Sequence, residues 1–274
     1  MPDTEVIGPG RGLADPSFRM AVSRGHIEGW TSYRKYGRVD LDNVTPMRDC
    51  WEFGGVSFGD LDYTYPADGT APITHFSSSS ALDTGPILIE GCDINGVLVQ
   101  QIPNIVGQTK TALTTPLWRC FRAFYLESAA SFVIGTTGLQ GDFYVYTDSA
   151  VVAGVPADAE VRTYIGAGQN QTLQAFSTVP ADQTGFLVWA RSAIEKRGAA
   201  SITIEAWVRG FGMAPRLADS GSLSATGTSV FEETGILIQS IPEKTDIIIR
   251  AQADTPDTSY AARYDIFLAD NDRL

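Results

Sequence analysis

The chain has 274 residues, of which 43% are hydrophobic and 19% charged, and its formal net charge is −12 at pH 7. This charge argues against a protein that coats nucleic acid or an anionic membrane surface, because both are negatively charged. With two histidines and three cysteines, the chain offers few groups for metal binding or acid–base catalysis. Its length predicts one large or two modest domains.

The first 48 residues differ from the rest of the chain. They carry seven basic and six acidic residues, a net charge of +1, which leaves −13 on the remaining residues. The segment opens with repeated proline and glycine and then carries aromatic residues with no period of 2 or 3.6. Such a segment is typical of connecting rather than regular structure. We therefore predict an extended N-terminal arm over residues 1–48, with little core of its own.

Aromatic and arginine side chains dominate the energetics of protein interfaces, so we predict that the arm docks on another subunit. The predicted interface residues are Trp30, Tyr33, Arg34, Tyr36 and Arg38. The alternative is a strap that packs on its own domain. The docking hypothesis predicts that deletion of residues 1–40 abolishes assembly while the remaining chain still folds.

From residue 49 the pattern is that of β-structure. Two apolar runs, 87–89 and 97–99, flank the sequence Asp93-Ile94-Asn95-Gly96. Asn-Gly between apolar runs is the strongest short hairpin signal, because both central residues of the turn need positive φ. The same four residues resemble the opening of a calcium-binding loop, but the remaining ligands are missing. A hairpin is therefore predicted here.

Further strands are predicted on both sides of a boundary near Val155-Pro156, with turn signals at short intervals. The predicted strands cover residues 119–127, 131–135, 141–147, 162–165, 171–178, 246–253 and 259–269. This spacing is typical of β-sandwiches. We predict an all-β fold of two antiparallel, jelly-roll-like β-sandwich domains, residues 49–155 and 156–274.

A second and longer hairpin is predicted between residues 185–193 and 200–209. Apolar and polar residues alternate over 202–209, as in a half-buried antiparallel strand. Trp189 and Trp207 lie in the two predicted arms. We expect them to pair across the hairpin, a contact worth about 0.2–1 kcal/mol.

The cysteines and the hydropathy indicate the cellular compartment in which the chain folds. Cys50, Cys92 and Cys120 are odd in number and show no C-x-x-C spacing, so we expect reduced, packed thiols. A Cys92–Cys120 disulfide is the less favoured alternative. The N-terminus has no signal-peptide pattern, and no segment reaches the roughly 18 apolar residues of a membrane helix.

No motif for catalysis emerges. His75 precedes four serines, Ser77 to Ser80, but no G-x-S-x-G elbow surrounds them, and a structural role for both His26 and His75 is favoured. Loop carboxylates such as Asp60 and Asp62 leave a glycoside hydrolase or a calcium site as weaker alternatives. We predict no catalytic residue, no cofactor and no metal site.

One resemblance covers roughly residues 50–190. It rests on 51–55 (WEFGG), 76–85 (FSSSSALDTG), 89–96 (IEGCDING), 115–122 (TPLWRCFR) and 168–181. These segments resemble a set of tailed-bacteriophage virion structural proteins, in which S-S-S-x-x-D-T precedes I-x-G-L-D-x-x-G and an R-x-x-R strand follows. Here Cys92 stands in place of the usual leucine.

The resemblance implies a non-enzymatic virion protein, assembled in the cytoplasm of the bacterial host. We expect it on the particle exterior, as a capsid decoration (cement) protein or a collar or tail attachment protein. The implied partners are further copies of the chain, for example in a trimer, together with the major capsid protein or neck and tail proteins. No nucleic-acid or membrane partner is expected. The alternative is a carbohydrate-binding host-adhesion module of a tail fibre or spike, which would need exposed tryptophans.

Overall fold

The computed structural model describes residues 16–41, 46–59, 61–128, 133–134, 138–195, 199–226, 230–234 and 239–274. In these residues the chain is all-β, as predicted, with one short α-helix. Every strand pair described is antiparallel. The strands fall into two groups, which we call the first and second β bodies.

The first β body follows a loop that contains two short 3-10 turns, Glu52–Gly54 and Val56–Phe58. Its strands are β3 (Ile73–Ser78), β4 (Thr84–Cys92), β5 (Leu98–Gln101), β6 (Asn104–Val106), β7 (Thr111–Leu117), β8 (Arg119–Ser128), β9 (Val133–Ile134), β10 (Phe143–Thr147), β11 (Val151–Val152), β12 (Val155–Pro156) and β13 (Val161–Ile165). One sheet has the order β13-β10-β3-β7, and another has the order β5-β4-β8-β9 with β6 also on β4. Both sheets contribute to one core, which includes Phe76, Ile89 and Phe143.

The second β body takes strands from both ends of the sequence. After helix α1 (Pro16–Ser23) it contains β1 (Trp30–Leu41), β2 (Arg48–Asp49), β14 (Phe176–Thr178), β15 (Gln183–Glu195), β16 (Ala199–Arg209), β17 (Arg216–Thr226), β18 (Val230–Thr234), β19 (Gln239–Ile241), β20 (Asp246–Ala253) and β21 (Thr258–Asp270). Sheet I has the order β1-β21-β15-β18 with β19 also on β15, and sheet II has the order β14-β20-β16-β17 with β2 on β20. Buried residues of both sheets, such as Ile202 and Tyr264, share one core.

The predicted hairpin between the two apolar runs is confirmed, since β4 pairs with β5. Its turn is longer than predicted, because the pair next to the turn is Cys92↔Leu98, and of Asn95 and Gly96 only Gly96 has a positive φ, of 84°. The Asp93 carboxylate accepts hydrogen bonds from the backbone N–H groups of Asn95 and Val97, each at 2.9 Å. This carboxylate therefore closes its own turn.

The second predicted hairpin is wrong. Strand β15 pairs with β18, β19 and β21, whereas β16 pairs with β17 and β20. The two strands thus enter different sheets. Trp189 lies opposite Asp265, and Trp207 lies opposite Ile248 and Leu217, so the two tryptophans are not cross-strand neighbours. Alternation identifies a half-buried strand, but it does not identify the partner of that strand.

The prediction of an extended arm is wrong for residues 30–41, which form a paired strand. Strand β1 pairs with β21 from Trp30↔Ala269 to Leu41↔Thr258, and Val39 and Leu41 lie in the core. Residues 30–41 therefore pack on their own chain, as the alternative of a strap supposed. The period of 2 was hidden because two of the inward positions hold Lys35 and Gly37. Residues 1–15 lie outside the described residues, and the domain boundaries at 48 and 155 stay a prediction.

The lack of a side chain at Gly37 lets β1 pack closely against neighbouring backbone. A Cβ atom on this residue would overlap the backbone of Cys50 and of Ala175. Lys35, two residues earlier, is buried and donates its Nζ to the carbonyl oxygen of Phe121 in β8. Burial lowers the pKa of Lys35 well below its ordinary value. Strand β1 thus belongs to sheet I and also contacts the first body.

A buried ionic cluster also joins the two bodies. Arg119 of β8 contacts both Asp246 of β20 (Nε–Oδ1, 3.0 Å) and Asp68 (Nη2–Oδ1, 3.1 Å). Arg209 of β16 contacts the same two carboxylates at 3.0 and 2.8 Å. Thr178 donates a further hydrogen bond of 2.6 Å to Asp246. Arg119 is the first arginine of the R-x-x-R strand, so this part of the motif serves the contact between the bodies.

Candidate functional site

The histidine–serine candidate does not form a catalytic pair. The Nδ1 atom of His75 lies 2.8 Å from Thr74 Oγ1 and 3.7 Å from the Asp148 carboxylate. Ser77 donates instead to the carbonyl oxygen of Gly154, at 2.7 Å. Burial, helped by the nearby Lys110, lowers the pKa of His75. The contacts of both side chains are structural.

Other candidate groups are packed or used within the fold. Cys50, Cys92 and Cys120 are buried free thiols, as predicted, and burial raises the pKa of both Cys92 and Cys120 to about 12. Across the described part of the chain, no three His, Cys, Asp or Glu side chains lie together as metal ligands require. In the same residues, no helix has the length and apolar character needed to cross a bilayer. Asp60 lies outside the described residues, and Asp62 forms ion pairs with Arg48 and Arg250.

The serine-rich motif that carries the family resemblance ties loops together. Asp83 is buried, and its carboxylate accepts hydrogen bonds from the hydroxyl of Ser78 and from the backbone N–H groups of Gln140 (2.7 Å) and Gly141 (3.0 Å). The backbone of Asp83 also bonds to Ser80 and Gly107. The motif therefore fixes three loops at one end of the first body.

The surface that stands out is the outward side of sheet I. Because side chains alternate along a strand, β1 sends Tyr33, Lys35, Gly37, Val39 and Leu41 inward and the residues between them outward. The register of β1, β21 and β15 then brings distant residues into rows across the sheet. We call this surface the basic face. It consists of Arg34, Tyr36, Arg38, Trp189, Arg191 and Arg263, with Asp40 and Asp265 among them.

The contacts within the basic face link arginines to rings and carboxylates. Arg34 binds Asp265 through two hydrogen bonds of 2.7 and 3.1 Å, yet its side chain remains 56% exposed. The guanidinium of Arg263 lies 4.8 Å from the centre of the Trp189 ring and 3.9 Å from Asp265. Arg38 pairs with Asp40 at 3.3 Å and is 47% exposed. These arginines are held in place and still reach solvent.

The charge of the basic face differs from that of the whole chain. Its four arginines lie with Asp40 and Asp265, and the register also places Glu195 of β15 and Glu233 of β18 at positions in the same rows. Basic and acidic positions therefore balance here, while the chain carries −12. Arg34 and Arg38 remain 56% and 47% exposed beside their partners. Their guanidinium groups can therefore bind carboxylates of another surface.

The structure separates the five predicted interface residues. Arg34, Tyr36 and Arg38 share the basic face. Trp30 is half-buried and stacks on Phe186 with ring centres 5.5 Å apart, and Tyr33 packs edge-on against Phe121 at 5.9 Å. Their contact with another subunit stays a prediction. The sequence gives no sign of Trp189, Arg191 and Arg263 as members of this face, because their place on it depends on the strand order of sheet I.

The tryptophans do not form an exposed platform. Trp51 and Trp118 are buried, and Trp30, Trp189 and Trp207 are half-buried. The indole N–H of Trp207 donates to Glu205 at 2.7 Å. No observation on these five side chains favours the carbohydrate-binding alternative.

Comparisons with known proteins add little. No family model and no curated protein matches the chain. It is similar to a structure of infectious bursal disease virus, Gt strain, with 11% identity over 93% of this chain and 78% of that chain, at a TM-score of 0.22. It is also similar to a mutant VP2 protein of the same virus in T=1 particles, with 12% identity, coverage of 89% and 70%, and a TM-score of 0.23. Similarities at such scores carry no argument about fold or function.

Proposed function

We propose that this chain is a non-enzymatic structural protein of a virion, attached to neighbouring subunits through its basic face. The single observation that carries the proposal is the concentration of arginine and aromatic side chains on one side of sheet I in an otherwise acidic protein. Arginine and aromatic residues are enriched in interfaces, whereas lysine is depleted. The chain has 16 arginines and 4 lysines, which agrees with this use.

The occupant that the basic face fits is an acidic protein surface. The rest of this chain is such a surface, since it carries the excess of carboxylates. We therefore propose a homo-oligomer in which the face of one copy contacts the acidic surface of the next. Complementary charges of this kind raise the rate and the specificity of association.

The resemblance to tailed-bacteriophage virion proteins sets the finer proposal. It suggests a protein on the particle exterior, as a capsid decoration protein or a collar or tail attachment protein assembled in the bacterial cytoplasm. Two features of the fold support a structural role. The two β bodies are joined by buried ion pairs, and the serine motif is used to fix loops rather than to perform chemistry.

The test is the charge-reversal variant Arg38→Glu. Its side chain is exposed and its contacts are to Asp40 and Ser259, so the fold should persist while a repulsive charge enters the face. We expect wild-type association, measured by analytical ultracentrifugation, to weaken as salt rises from about 50 to about 500 mM, because screening shortens the range of surface electrostatics. Arg38→Glu should lower the association constant at least about tenfold, which corresponds to about 1.4 kcal/mol of binding free energy.

Lys110→Glu is the matched control, because it makes the same change of charge on the first body, where Lys110 pairs with Asp148. It should associate like the wild type. The proposal fails if Arg38→Glu associates as strongly as Lys110→Glu, or if association of the wild type does not weaken as salt rises. Counting labelled copies per particle then separates a capsid lattice, with a high count, from a neck or tail position.

A further inference from the structure

Strand β17 has one side that no described strand occupies. It pairs with β16 from Arg216↔Val208 to Thr226↔Ala199 and is the terminal strand of sheet II. Natural proteins usually protect such an edge with charges, proline or bulges. Here a bulge lies at Ala218, but the run from Ser220 to Thr226 (SGSLSAT) has no charge and no proline. This part of the edge is open to pairing.

An apolar cavity of about 350 Å³ between sheets I and II reaches the same edge. Its lining includes Ile204, Ile249 and Tyr260, together with the six consecutive residues 218–223 of β17. Successive residues of a strand point to opposite faces, so contact with a consecutive run means that the cavity opens around the side of the strand. At the inward position Gly221, an added Cβ would meet nothing within 4 Å. Apolar surface is thus left uncovered beside the open edge.

We propose that β17 pairs antiparallel with β17 of a second copy of this chain, about a two-fold axis at Gly221. In this register Gly221 faces Gly221 of the second copy, Ser220 faces Ser222, and Asp219 faces Leu223. The small residues allow close approach, and no like charges lie opposite each other, which would be unfavourable. Strand β17 of the second copy then lies along the mouth of the cavity and covers part of its apolar lining.

The charge of the chain argues for this edge as the contact between identical copies. Two copies at −12 each repel over most of their surfaces, whereas β17 carries one basic and one acidic residue, Arg216 and Asp219, and is neutral as a whole. A two-fold contact uses the same patch on both copies, and the short sequence Ser220-Gly221-Ser222 reads the same in both directions. The pairing joins two copies of sheet II into one continuous sheet. It goes beyond the proposed function, because the basic face lies on sheet I and remains available.

The first test is a disulfide at the axis. Opposed residues of an antiparallel pair have Cα atoms about 4.5–5.5 Å apart, within the roughly 4.4–6.8 Å that a disulfide spans. All three native cysteines are buried, so Gly221→Cys adds the accessible thiol. Mild oxidation should convert most of this variant into a covalent dimer. Ala157→Cys, on an exposed loop of the first body, should remain a monomer on non-reducing gels.

The second test is Gly221→Lys. The open space at this position lets the monomer fold, which circular dichroism and thermal melting would verify, while two lysines would face each other at the axis. The comparison is made in the Arg38→Glu background, where association through the basic face is weakened. There we expect a dimer with the native Gly221, a monomer with Gly221→Lys, and a dimer with the charge-matched Ala157→Lys. In that background a monomer with the native Gly221, a dimer with Gly221→Lys, or equal cross-linking of Gly221→Cys and Ala157→Cys would each overturn the proposal. Adding Arg38→Glu to Gly221→Cys should leave the cross-link intact, which separates this contact from the basic face.

Discussion

Asp83, Asp246 and Asp49 show how single carboxylates tie distant segments of this protein together. Asp83 holds backbone N–H groups more than fifty residues away in the sequence, and Asp246 receives two arginines that approach from different bodies. Each carboxylate sits where several donors converge, because a buried charge is tolerated only when it is paired or hydrogen-bonded. These residues explain why an acidic sequence without catalytic motifs contains so many interior carboxylates.

Asp49 gives the protein a defined dependence on pH. Burial raises the pKa of its carboxyl to about 6, although Arg250, at 3.0 Å, and the backbone N–H of Tyr63 oppose this rise. An unfolded aspartate has a pKa near 3.9, so between about pH 4 and 6 the folded state binds more protons than the unfolded state. The contribution of Asp49 to stability is therefore present below pH 4 and lost as the pH rises through 6.

The expected fall in the free energy of unfolding is on the order of 2–3 kcal/mol, because a tenfold change in proton affinity corresponds to about 1.36 kcal/mol. Urea unfolding from pH 4 to 7 should show this fall in the wild type. In Asp49→Asn, which keeps an oxygen to accept the Tyr63 N–H, the free energy of unfolding should change less over the same window. Parallel pH profiles for the two proteins would contradict the assignment.

At the scale of elements, the sequence predicts local structure well and partners poorly. The Asn95-Gly96 hairpin was readable because both strands and the turn lie within a few residues of each other. The strand partners of β15 and β16 could not be predicted in this way, since most of them lie in distant parts of the chain. The basic face follows the same rule: its β1 residues could be named from sequence, while Arg263 and Trp189 reach it through the register of β21 and β15.

Deletion of residues 1–40 tests the corrected role of β1. We expect this truncation to lose cooperative thermal unfolding or to melt at a markedly lower temperature, because it removes nearly all of a strand whose inward residues enter the core. Deletion of residues 1–15 alone, which keeps β1 and every described contact, is the comparison and should melt at a higher temperature than the longer truncation. Equal melting of the two truncations would show that β1 is dispensable for folding.

At the scale of the whole molecule, contacts between the two β bodies determine whether they behave as one unit. Arg119, Lys35 and Gln174 all bridge the bodies, and Gln174 donates to the carbonyl oxygen of Cys120 at 3.2 Å. Trp118 of the first body also meets Phe211 of the second, with ring centres 5.4 Å apart. The bodies therefore share a buried interface in which ion pairs and hydrogen bonds lie beside aromatic contacts.

Arg119→Ala should destabilise the protein strongly. Removing one partner of a buried ion pair costs about 3–5 kcal/mol, because the remaining charge stays buried. Arg216→Ala, at an exposed position on β17, should change stability by less than about 0.5 kcal/mol. Urea titration followed by tryptophan fluorescence measures both, and a loss below about 1 kcal/mol for Arg119→Ala would show that the cluster is not needed.

The pairing of β1 with β21 determines when sheet I can fold during synthesis. Trp30 pairs with Ala269, so sheet I is completed only after Thr258–Asp270 has left the ribosome, and such non-local pairing folds slowly. The basic face draws on β1, β15 and β21 together. A nascent chain that still lacks β21 therefore cannot present this face, and the attachment that we propose would follow the synthesis of that strand.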